Sequence, residues 1–240
     1  MATDRHLTWE GCFNVRDLGG LPTASGKLTL RGSIVRGDAP DHLTARGWKS
    51  LWTYGIRTII DLRGEEERDS ASADRPSELT TIRIPLDDHD DTEFWVRWSN
   101  GLDCTPLYYK AFIDRFPSTV VGVLGTIADT TSGSVLVHCA GGRDRTGLVA
   151  LLLLAIAGAS PETIAADYAL SAQRLAPLWR RLGFGDQNSK IAALLTTEGS
   201  SVEQSVHNAL SDLDVESFLL GNGLSETRLC SLKARLLGAN

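Results

Sequence analysis

Cysteine is scarce in this chain: Cys12, Cys104, Cys139 and Cys230 are the only four in 240 residues. They lie far apart and form no C-x-x-C pair, which argues against a zinc ribbon and against a dense disulfide framework. Positive charge is also short. The chain has 24 Lys and Arg against 30 Asp and Glu, a formal net charge of -6, and so no broad cationic field for nucleic acid or anionic lipid. Any anion site has to be local. The longest apolar run, Leu148 to Ala157, is about half of the roughly 20 residues that a spanning helix needs, and it reads as a buried helix. The polar stretch from Met1 to Gly11 carries Asp4, Arg5 and Glu10 and lacks the apolar segment of a secretory signal. A cytoplasmic protein with no integral membrane contact is expected.

What is present is ordinary enough to fold. The composition is 42% hydrophobic and 22% charged, with 23 Gly and 8 Pro, near the globular average, and the length suits one domain over residues 1–240. Extended segments are expected at Phe13 to Gly20 and Leu28 to Val35, and a helix from Leu43 to Tyr54 ended by Gly55. Ile56 to Leu62 is β-branched and bounded by glycines, as a buried strand should be. Glu65 to Ser77 reads as loop or surface helix, and Thr80 to Leu86 as an edge strand because it contains Pro85. Four acids, Asp87, Asp88, Asp90 and Asp91, surround His89 in an expected loop. Leu107 to Ala128 reads as one or two helices interrupted at Pro117, Gly133 to Cys139 as an apolar strand, and Gly147 to Ala157 as a helix. From Pro161 onward the pattern is helical, with breaks at Gly183, Gly199 and Gly221. The fold class is therefore α/β, a central mostly parallel sheet flanked by helices, with a helix-rich C-terminal half.

The chemistry concentrates in His138-Cys139-Ala140-Gly141-Gly142-Arg143-Asp144-Arg145-Thr146-Gly147, between an apolar strand and a helix N-terminus. Backbone N–H groups of a tight loop and the unpaired donors of the first helical turn converge there, so an anion can be held without net positive charge on the protein. The same field favours the thiolate of Cys139 and makes it a candidate nucleophile. Arg145 follows six residues later, and its planar fork suits two oxygens of a phosphoryl group. Ala140, Gly141, Gly142, Arg143 and Asp144 complete the candidate phosphate cradle, in which the glycines allow close backbone approach. Thr146 is placed to donate to the sulfur as it leaves in a second step, and His138 to orient the loop.

This segment resembles the signature loop of cysteine-dependent phosphatases. The variant C-x-A/G-G-K-D-R-T-G is similar to that of a bacterial tyrosine phosphatase group with lipid-phosphatase-like loops, which includes mycobacterial tyrosine and dual-specificity phosphatases. Asn14-Val15-Arg16-Asp17-Leu18-Gly19-Gly20 resembles that family's N-terminal N-x-R-D-L-G-G element, and Ile56 to Arg63 also matches, so the resemblance spans most of the chain. It implies the cysteine-phosphatase fold and a two-step phosphomonoesterase that needs no metal and no cofactor. Cys139 would attack phosphorus, an acid would protonate the leaving oxygen, and water would hydrolyse the phosphocysteine. The substrate implied is a phosphorylated protein, with a phosphoinositide or a small phosphomonoester as the alternative. A silent phospho-binding module and a sulfurtransferase are further readings, disfavoured by the intact Cys139, Arg145 and Thr146 and by the N-terminal element. In one departure, Arg143 stands where the group usually has Lys, and a planar fork is not a compact ammonium. The acid is assigned to Asp144, as proton donor or water-orienting group, with Asp87 or Asp88 as alternatives. Arg16 and Asp17 are expected to pin the N-terminal element against the site, and Asp61 and Arg63 to be structural. The segment carrying Tyr168, Trp179, Arg180, Arg181 and Phe184 is either a helical lid or ordinary packing.

Overall fold

The computed structural model describes residues 4–68, 72–87 and 90–238. A five-stranded sheet lies at its centre, built from β1 (Arg16–Asp17), β2 (Ile34–Gly37), β3 (Ile56–Asp61), β4 (Thr80–Arg83) and β5 (Ser134–His138) in the order β1-β2-β5-β3-β4. Only β1 pairs antiparallel, with β2; the other three pairings are parallel. The expected α/β class with a mostly parallel sheet is what the chain adopts.

Strand β5 occupies the middle, and all five of its residues are buried. Its short apolar run has this reason: a central parallel strand is covered on both faces and cannot alternate with polar residues. Val135 and Val137 enter the larger core, whereas Leu136 enters a smaller one beneath α1 (Ala45–Tyr54), with Trp48 and Leu51. Thr44 caps α1 by accepting from the Gly47 N–H, and Gly55 ends it at φ 108°. On the other face lie α3 (Tyr109–Arg115), α4 (Pro117–Asp129) and α5 (Asp144–Ile156), packed in turn by α6 (Pro161–Arg181), α8 (Val202–Leu210), α9 (Val215–Gly221) and α10 (Glu226–Leu237). Helix α5 has ten of its thirteen residues buried. An apolar surface on every side is what a helix needs when it lies between a sheet and other helices.

Several boundaries differ from the sequence reading. Of Leu28 to Val35 only Ile34 and Val35 belong to a strand, which runs on to Gly37; the preceding residues fold into a turn through Gly32 at φ 70°. A helix, α2 (Thr92–Trp98), follows the acid cluster because Asp91 caps it, accepting from the Phe94 N–H at 2.9 Å. Helix α5 starts at Asp144, three residues earlier than expected. The C-terminal half breaks at Gly183 and Gly199 and just after Gly221, with α7 (Gln187–Thr197) between the first two. One further break follows α8 without any glycine, because Asp214 caps α9 by accepting from the Ser217 N–H. Strand β4 is the sheet edge, with Pro85 beyond its end, as expected. No single helix among the described residues is long and apolar enough to cross a membrane.

Candidate functional site

Cys139 to Arg143 span the gap between β5 and α5. Gly142 sits at φ 65°, and a Cβ there would lie 2.1 Å from the Gly37 carbonyl oxygen, so only glycine fits this close approach. The carbonyls of the loop are held from behind. The Ala140 carbonyl accepts from the Ala39 N–H at 3.0 Å. Asn14 Nδ2 donates to the Gly141 and Gly142 carbonyls at 2.9 and 3.2 Å, and Arg36 Nη2 to those of Gly142 and Arg143 at 2.9 and 3.1 Å. With the acceptors engaged, the N–H groups of residues 140–143 donate to no protein acceptor among the described residues. With the first turn of α5 they are unspent donors at a helix N-terminus, an arrangement in which an anion can be held without lysine.

A buried ion cluster fixes this framework. Asp167 on α6 is fully buried and meets Arg5 at 2.7 Å, Arg16 at 3.1 Å and Arg36 at 2.8 Å. Arg16 also reaches Asn14 Oδ1 at 2.7 Å and Ser171 Oγ at 3.1 Å. Thus Arg16 does pin the N-terminal element, and it does so through the residue that holds the loop. Asp17 accepts from the Gly19 and Gly32 N–H groups and from the Tyr54 hydroxyl, which ties the element to the turn before β2 and to α1. Burial acts to raise the Asp167 pKa, but the three arginines outweigh it and hold the carboxyl far below its ordinary range. The unfolded chain takes up a proton near pH 4 that the folded protein refuses, so this contribution to stability is complete above that pH and is lost in stronger acid. Asp167→Asn strands buried guanidinium charge and is expected to cost about 3–5 kcal/mol. Urea unfolding at pH 7 measures the loss, and the gap to wild type should narrow below about pH 4.

The loop opens into a cavity of about 190 Å³ lined by Cys139, Ala140, Gly141, Arg143, Asp144 and Arg145. Asp87, Asp103, Cys104, Tyr108 and Trp179 complete its wall. Cys139 is 3% exposed. Arg145 grips Glu67 with both arms, at 2.5 and 2.7 Å, and lies 3.1 Å from Asp87. Burial works against its charge but is outweighed by Glu67, Cys139 and Asp87, so the guanidinium is held more firmly protonated than usual. Asp144 Oδ1 accepts from the Tyr168 hydroxyl at 2.6 Å, and both carboxylate oxygens meet Arg143 Nε at 3.0–3.1 Å. Arg143 lies 6.0 Å above the Trp179 ring. Thr146 Oγ1 is buried without a hydrogen-bond partner among the described residues, the Cys139 sulfur included. His138 is buried, with Nδ1 3.0 Å from the Cys139 carbonyl and Nε2 3.7 Å from Asp61, and burial lowers its pKa, which keeps the ring neutral.

The structure therefore brings Cys139, Asp144, Arg145 and Asp87 to one cavity. Asp88 and His89 lie outside the described residues, and Asp91 is committed to capping α2 and to Arg115 at 2.7 Å. Trp179 reaches the cavity and Tyr168 reaches Asp144, while Arg180, Arg181 and Phe184 are exposed. Sequence reasoning missed Glu67, Asp103, Arg36 and Asp167. Burial, reinforced by the nearby Asp144 charge, raises the pKa of Asp103. Glu67 sits in a short turn among three consecutive glutamates, where nothing local distinguishes it.

A model of the tyrosine phosphatase family matches residues 7–238. A protein of Cupriavidus necator with a provisional tyrosine-protein phosphatase name is 29% identical over 222 residues, which cover 84% of this chain and 78% of that protein. A tyrosine-protein phosphatase of Nostoc commune is 31% identical over 146 residues, 60% of this chain and 49% of that protein.

Proposed function

This chain belongs to the tyrosine phosphatase family, and from that premise we propose that it hydrolyses phosphomonoesters through a phosphocysteine on Cys139, with no metal. The observation that carries this reading is the opening of Cys139, the donor-rich loop and Arg145 into one cavity. In the first step the sulfur attacks phosphorus while the N–H groups of 140–143 and the Arg145 fork hold the equatorial oxygens, where charge develops. In the second, water displaces the sulfur, and the role of donor to it falls to the Thr146 hydroxyl, which is buried and has no hydrogen-bond partner among the described residues.

Phosphotyrosine suits the cavity best, because Tyr108 and Trp179 give an aryl ring an apolar wall. Arg143 is already engaged by Asp144 and Trp179, which weakens the case for it as a headgroup ligand of the phosphoinositide-phosphatase type. The test is phosphate release in EDTA from a phosphotyrosyl peptide, a phosphoseryl peptide and a phosphoinositide. Preference for the first is expected; faster turnover of the lipid would reverse the substrate assignment.

We assign the acid to Asp144, which Tyr168 and Arg143 orient at the far lip of the loop. Asp144→Asn should slow turnover about 10²-fold or more on substrates with poor leaving groups, spare good ones and remove the basic limb of the kcat profile. Asp87→Asn and Asp103→Asn, measured in parallel, identify the acid if Asp144→Asn keeps the wild-type profile.

A further inference from the structure

A second cavity, of about 80 Å³, opens where β3, β4 and β5 end, between Asp61, Arg83 and His138. Among the described residues four arginines line it, Arg63, Arg68, Arg75 and Arg83, with two carboxylates, Asp41 and Asp61. Both carboxylates are spent on Arg63: its Nε meets Asp61 Oδ1 at 3.0 Å, and its Nη2 meets Asp61 Oδ2 at 3.1 Å and Asp41 Oδ1 at 3.2 Å. Arg68 donates through Nη2 to the Arg63 carbonyl at 2.7 Å, whereas its buried Nε has no hydrogen-bond partner among the described residues and reaches Asp61 Oδ2 only at 4.0 Å. Among the described residues Arg75 is anchored by neutral acceptors, the Pro76 and Leu79 carbonyls and Thr81 Oγ1. The exposed Arg83 side chain has no hydrogen bond or ion pair among the described residues, and its charge adds to partial burial in disfavouring that of Arg75. Arg83 is exposed and Arg68 and Arg75 are half-buried, and guanidinium groups held side by side repel one another unless an anion joins them.

We propose that this cavity is a second oxyanion site, which takes one tetrahedral group such as phosphate or sulfate onto Arg68, Arg75 and Arg83. Guanidinium groups only donate, and their forks match oxyanion edges. The volume is that of two or three waters at roughly 30 Å³ each, enough for a single such group. The site is also wired to the first: Arg63 Nη1 donates to the Glu67 carbonyl at 3.2 Å, and the Glu67 carboxylate holds Arg145. A free anion or a second phosphate on the substrate can supply the group.

The test is calorimetric titration of sulfate into the full chain, where the catalytic loop and this cavity are each expected to take one equivalent. Arg145→Ala should remove the first, and Arg83→Ala or Arg75→Ala should weaken the second about tenfold or more, with vanadate inhibition unchanged. A single equivalent that Arg145→Ala abolishes, or an unaltered affinity in both arginine-cluster variants, would overturn the site. Failure of vanadate to bind would instead count against the catalytic reading. Rates separate the sources of the anion: Arg83→Ala lowers kcat/KM on a bisphosphorylated substrate alone if the substrate's second phosphate occupies the site, and on no substrate if a free anion does.

Discussion

Cys139→Ser is expected to lower kcat for p-nitrophenyl phosphate on the order of 10⁶-fold, the scale seen when a hydrolase loses its nucleophile, while phosphate-ester binding survives. The replacement is nearly isosteric, and the cradle does not depend on the sulfur. Its carbonyls are held by Ala39, Asn14 and Arg36 and its helix by the core, so the N–H groups keep their aim. A hydroxyl needs a base to attack phosphorus, which a thiolate does not. The neighbouring His138 is turned away, with one nitrogen against the Cys139 carbonyl and the other toward Asp61. Steady-state kinetics beside calorimetry with phosphotyrosine reads both halves of the expectation. A serine variant that turns over at near the wild-type rate would end the cysteine mechanism.

Arg145→Lys is the second large effect, a fall in kcat of about 10²–10³-fold, as for loss of a donor that acts on transition-state charge. Charge alone is not what the position supplies. The guanidinium spans Glu67 with two bonds and lies 3.1 Å from Asp87, so its plane is fixed before substrate arrives. An ammonium on a flexible stem can satisfy Glu67 or a phosphoryl oxygen, but it cannot present a planar fork to two oxygens. The charge is retained, so stability should change little. Measured kcat and urea midpoints for the variant separate the two effects, and a lysine enzyme with wild-type kcat would show that the fork is dispensable.

Much of the site was legible in the sequence because its chemistry is local. Strand, Gly-containing turn and helix follow one another between Ser134 and Ile156, and a loop so placed has a forced geometry. The sheet was legible for a related reason: buried parallel strands such as β3 and β5 are apolar runs bounded by turn residues. What could not be read is convergence over long separations. Asp167 meets Arg36 across 131 residues and Arg16 across 151, and Arg145 meets Glu67 across 78. No local spacing marks these partners, because a buried ion pair and a solvated charge look the same in a string of residues. Helix α2 escaped for the opposite reason: its cap, Asp91, lies in an acid-rich stretch that reads as loop until the Phe94 N–H is seen to need an acceptor.

The central claim is a covalent phosphoryl group on Cys139, and acid quenching of the enzyme during turnover of a phosphotyrosyl peptide, followed by peptide mass analysis, tests it most directly. The account predicts one added phosphoryl group on the peptide that carries Cys139, present in wild type and absent in Cys139→Ser. Rapid phosphate release with no such adduct at any quench time, or with the adduct on another residue, would contradict it.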